Sequence, residues 1–114
     1  MYNSSSFGIL RVVLFFCLFQ INSAWSATPI IKIEIKNHLF FPSEIKIPAN
    51  TKVKLMVYNL DPTSEEFESF ELNREKVIMG NQKAVIFIGP LPAGRYPFFG
   101  EFFPKTAQGM VIVE

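Results

Sequence analysis

The stretch Ile31-Lys32-Ile33-Glu34-Ile35-Lys36 alternates apolar and charged residues without a break. Strand side chains point to opposite faces in turn, so this pattern puts three isoleucines on one face and the charges on the other; a helix would scatter them around its circumference. Glu44-Ile45-Lys46-Ile47 repeats the device before a turn at Pro48-Ala49-Asn50. From Lys52 to Asn59 it recurs, with Val53, Leu55 and Val57 opposed to Lys52, Lys54 and Met56, and it breaks at Asp61-Pro62. Val85 to Ile88 is a nearly continuous apolar strand. After the rigid turn Gly89-Pro90-Leu91-Pro92-Ala93-Gly94, strands are expected at Gly94 to Phe99 and Met110 to Val113. Short strands separated by turn signals predict an all-β fold, an antiparallel Greek-key β-sandwich of about seven strands. No helical periodicity competes, apart from a turn around Asp61 to Glu66.

The N-terminus reads as a targeting segment. A polar stretch ends in Arg11, an apolar run follows from Val12 to about Phe19, and Ala24-Trp25-Ser26 offers small residues at a cleavage site. The run is too short for a permanent membrane span. The expected organisation is therefore a secretory signal peptide, residues 1–26, followed by one domain, residues 27–114, exported to the periplasm. Cys17, the single cysteine of the chain, lies inside the apolar run. After cleavage there is no thiol, hence no disulfide and no thiolate ligand. A blue copper centre needs a thiolate and two imidazoles, so the chain, with His38 as its one histidine, excludes one.

Between Ala27 and Glu114 ten lysines and arginines balance ten acidic residues. There is no basic stripe of the kind nucleic acid requires. Five acids fall between Asp61 and Glu71, so local field rather than net charge is the feature to explain. Ser64 and Ser69 have no histidine near them in sequence, there is no glycine-rich phosphate loop, and a solvated acidic loop accounts for Glu65, Glu66 and Glu68. The chain is not expected to be an enzyme, and no small-molecule substrate suggests itself.

Two segments are long and unusual: Glu65-Glu66-Phe67-Glu68-Ser69-Phe70-Glu71-Leu72-Asn73-Arg74-Glu75-Lys76-Val77-Ile78 and Gly94-Arg95-Tyr96-Pro97-Phe98-Phe99-Gly100-Glu101-Phe102-Phe103-Pro104. Together they resemble the small periplasmic cupredoxin-like domains, of EfeO type, that accompany bacterial iron-uptake permeases. The resemblance runs from Ile31 to Val113. It implies a cupredoxin-like sandwich with ligands at one end, in loops near the last strands, plus one ligand from upstream. It also implies copper binding, help with oxidation or handover of iron or with electron transfer, and a membrane iron permease or another periplasmic protein as partner. The family pattern has a histidine after the Glu-Ser of the first segment and another after the Gly-Glu-Phe of the second. Here those positions hold Phe70 and Phe103, which have no lone pair to offer.

Carried over by the resemblance, Glu66, Glu68 and Glu101 are metal candidates, with His38 and Met79 as further donors. Carboxylates alone favour harder ions at modest strength, so the copper site is expected to be degenerate, weak or absent. His38 starts a loop, where a lone histidine is usually a surface or hydrogen-bonded residue, and methionine is usually a gap filler. The rings Phe70, Phe98, Phe99, Phe102 and Phe103 form a second candidate, a partner-binding surface. Two outcomes are open for Phe70 and Phe103: packing against each other to fill the vacated site, or presenting an aromatic end to a partner. The alternative to metal handling is a metal-free periplasmic interaction module on the same scaffold.

Overall fold

The computed structural model describes residues 27–114; the expected signal peptide, with Arg11 and Cys17, lies outside them. Among the described residues, nine strands form two sheets. The first has the order β2-β1-β4-β7, built from β1 (Ile30–Lys36), β2 (Leu39–Phe41), β4 (Val53–Asn59) and β7 (Lys83–Ile88). The second has the order β3-β9-β8-β5-β6, from β3 (Glu44–Ile47), β5 (Glu65–Ser69), β6 (Arg74–Ile78), β8 (Gly94–Gly100) and β9 (Gln108–Val113). Neither sheet is wholly antiparallel: β1 runs parallel to β4, and β3 parallel to β9.

The period-two stretches do what their pattern dictates. Ile33 and Ile35, Val53, Leu55 and Val57, Ile86 and Ile88 are buried between the sheets, while Lys32, Glu34, Lys54 and Tyr58 point out. Phe67 and Phe98 stack at 4.9 Å between centroids, and Phe40 meets Phe98 edge-on at the same distance. Among the described residues the core runs from Ile33 to Val113, and these residues bury a core of their own.

The excess over about seven strands has a physical source. The acidic segment is not a solvated loop: Glu65–Ser69 is a strand between β8 and β6, buried at all five positions. Its partner β6 and the short β2 were also missed, because neither shows an alternating apolar row. Lys36-Asn37-His38-Leu39 makes the tight turn between β1 and β2, with Asn37 and His38 both at positive φ.

Candidate functional site

Strand β5 has two rows. Phe67 faces the core, and by alternation Glu65 and Ser69 share its inner side while Glu66 and Glu68 face outward. Opposite them in register lie Val77 and Glu75 of β6, and Phe99 of β8 pairs with Glu68 from the other side. The backbone N–H of Glu101 donates to the Glu66 carbonyl at 2.9 Å, which brings the start of the 101–107 loop onto this face. Glu66, Glu68 and Glu101 thereby converge, each offering a carboxylate oxygen within 4.8 Å of the others.

The electrostatics record the crowding. The Glu66 carboxyl is pushed up from 4.5 to about 7, first by sharing a proton with Glu75, then by burial and by Glu101. Glu68 is also raised, chiefly by burial and then by the charges of Glu75 and Glu101. Glu68 is only 9% exposed, and its Oε2 has no hydrogen-bond partner. Glu101 is exposed, so the cluster opens to solvent on that side.

The inner row is organised differently. Glu65 Oε1 accepts from the backbone N–H of Glu66 and of Phe102, both at 2.9 Å, tying the 101–107 loop to β5. Gly100 lets this carboxylate come close; a Cβ there would lie 2.5 Å from it. Ser69 Oγ donates to the Pro97 carbonyl and accepts from the Leu72 N–H. Sequence reasoning did not separate Glu65 from Glu66; the signal was its place in the same alternating row as Phe67.

His38 and Met79 are not in the cluster. Asp61 accepts from the backbone N–H of Asn37 at 2.8 Å and of His38 at 3.0 Å, which locks the turn. The imidazole lies flat on Phe103, centroids 3.5 Å apart, with Nδ1 3.5 Å from Asp61. Met79 is exposed beside Ser64 at the β6 end.

The candidate aromatic surface divides. Phe98, 1% exposed, belongs to the core and cannot meet a partner. Phe70 is 73% exposed and leans on Phe99, and Phe102 is half exposed. Phe70 and Phe103 do not fill one vacated site together, since Phe103 has taken His38 as its neighbour.

These features define a cupredoxin-like sandwich, and the chain belongs to the cupredoxin-like domain family, whose pattern matches residues 8–113. It is 46% identical over 83 residues to the uncharacterized protein RP394 of Rickettsia prowazekii, covering 73% of this chain and 66% of that one. Among solved structures it resembles the metal-binding domain of the Cu(I)-exporting P-type ATPase CopA of Streptococcus pneumoniae. That match has a TM-score of 0.70 at 19% identity, covering 81% of this chain and 91% of the other. Auracyanin A, a blue copper protein of Chloroflexus aurantiacus, matches with a TM-score of 0.65 at 13% identity, covering 77% and 100%. At such identities these structures establish the fold.

Copper is the metal of the CopA domain and of auracyanin A, and the donors gathered here do not suit it. The converging atoms are carboxylate oxygens, the one imidazole is stacked on Phe103, and Phe70 and Phe103 stand at the positions where the resemblance implies histidines. A site of oxygens alone suits hard cations.

Proposed function

We propose that this chain is a periplasmic cupredoxin-like accessory protein whose carboxylate cluster, rather than a copper site, handles a metal ion, beside an iron permease. Glu66, Glu68 and Glu101 supply oxygen donors for a divalent cation such as the manganous or the ferrous ion, and the exposed Glu101 side is the route of exchange. One observation carries this reading: Glu68 is buried with an unpartnered oxygen among other carboxylates, an arrangement that a bound cation relieves. The same ion must displace the proton that Glu66 holds near neutral pH, which keeps affinity modest and exchange easy.

Calorimetric titration of residues 27–114 with manganous, ferrous (anaerobic) and cuprous ions tests it. The hard ions should bind, and Glu68→Gln should abolish the heat. Cuprous binding that is tighter than theirs and lost in His38→Ala would overturn the assignment.

A metal-free interaction module is the second reading, favoured by the exposure of Phe70 beside Phe99. Absence of binding by all three ions would select it. Phe70→His with Phe103→His then asks whether the copper-binding geometry survives around the exchanged positions: cuprous binding gained by the double variant means that it does.

A further inference from the structure

The outer face of the β2-β1-β4-β7 sheet concentrates positive charge in a domain that has none to spare. Lys32 and Lys36 of β1, Lys54 of β4 and Lys83 of β7 point outward by alternation with the buried Ile33, Ile35, Leu55 and Ile86. Lys52, just before β4, lays its ammonium 4.6 Å above the outward ring of Phe87. Half of the ten cationic residues in 27–114 therefore share one face with a single acid, Glu34. The carboxylate cluster lies on the outer side of the other sheet, so the molecule is polarised across its thickness.

The lysines are interleaved with apolar side chains. Register sets Ile30, Lys54 and Phe87 in one row, then Lys32, Met56 and Val85, then Phe41, Glu34, Tyr58 and Lys83. Ile30, Phe41, Val85 and Phe87 are all at least 40% exposed. Tyr58 sits between Lys32 and Lys83, whose ammonium groups lie 5.1 and 5.9 Å from its ring centre. Cationic heads thus surround the exposed apolar side chains of one sheet face, a pattern that fits a planar anionic surface.

We propose that this face docks the domain on a bilayer of anionic phospholipid, with the lysines reading headgroup phosphates while Phe87, Phe41 and Tyr58 rest at the headgroup level. The inference is independent of what the carboxylate cluster binds. A sheet face so placed would turn that cluster away from the lipid, sparing it the repulsion between carboxylates and phosphates.

The test is co-sedimentation of residues 27–114 with vesicles of phosphatidylcholine alone and of phosphatidylcholine mixed with phosphatidylglycerol. Binding should require phosphatidylglycerol and weaken as salt rises. Lys54→Gln with Lys83→Gln should weaken it roughly 30-fold, about fivefold for each charge, while Lys46→Gln with Lys105→Gln, away from the face, should change it less than threefold. Far-ultraviolet circular dichroism and thermal unfolding confirm that each variant is folded. In a Phe87→Trp variant the emission should shift to the blue on anionic vesicles. Failure to bind anionic vesicles at low salt overturns the proposal, as does equal loss in the two double variants. Binding to poly-glutamate without binding to vesicles also overturns it and assigns the face to an acidic protein.

Discussion

The two rows of β5 are drawn from five consecutive residues, all of them buried, and they behave in opposite ways. The inner row spends its polar atoms on the backbone: Glu65 holds two N–H groups, Ser69 bridges Pro97 and Leu72, and Phe67 between them anchors the aromatic core. The outer row sets carboxylates against carboxylates: Oε2 of Glu68, like Oε2 of Glu65, has no partner, but Glu68 also faces the charges of Glu75 and Glu101. A buried acid that accepts from fixed amides stabilises the fold, whereas one that faces like charges costs stability until a proton or a cation arrives. Burial alone does not distinguish a stabilising glutamate from a destabilising one; the groups it faces do.

The contrast breaks most sharply at Phe67. Replacement by alanine should cost about 3–5 kcal/mol, measured by urea unfolding, because it leaves a cavity between Phe40 and Phe98. Glu65→Ala should cost roughly 1–3 kcal/mol and speed hydrogen exchange at the Phe102 amide, which loses its acceptor. In the outer row the sign reverses: Glu68→Gln should make the domain more stable at neutral pH and remove its affinity for manganous ion. An unchanged or lowered stability would mean that the outer row is as structural as the inner one.

The proton on Glu66 gives a further way to sharpen the comparison. Its folded pKa of about 7 lies above the ordinary 4.5, so between these values the folded state holds a proton that the unfolded chain has lost. The stabilisation is full below pH 4.5, declines as pH rises, and is gone above about 7. Thermal unfolding across this window should show the decline in the parent and a flatter profile in Glu66→Gln. Cation affinity should run the other way, rising through the same window as the carboxyl ionises. The smallest effect belongs to Phe70→Ser, within about 0.5 kcal/mol of the parent, since this ring is largely in solvent.

Much of the fold was legible where apolar and charged residues alternate, because a half-buried strand leaves that mark on its sequence. β1, β3 and β4 lie where the alternation put them, β4 beginning at Val53 rather than Lys52. β5 was read as a solvated loop for the opposite reason: Glu65-Glu66-Phe67-Glu68 has no apolar period, and glutamate is disfavoured in strands. Of the candidate site, the two motif segments supplied Glu66, Glu68 and Glu101. Their company with Glu75 was hidden, since it depends on the pairing of β5 with β6. The phenylalanines were legible as a group but not one by one: Phe98 and Phe99 are adjacent, and the pleat sends the first into the core and the second to the outer face.

The sequence by itself settled that the chain is a β-sandwich, that it offers a single imidazole, and that carboxylates are the donors its motifs retain. These follow from local periodicity and from which side chains exist at all. Only the tertiary structure decided which carboxylates meet, where His38 rests and which sheet face gathers the lysines. Each depends on strand order and register, and residues distant in sequence become neighbours only when the two sheets close on their common core.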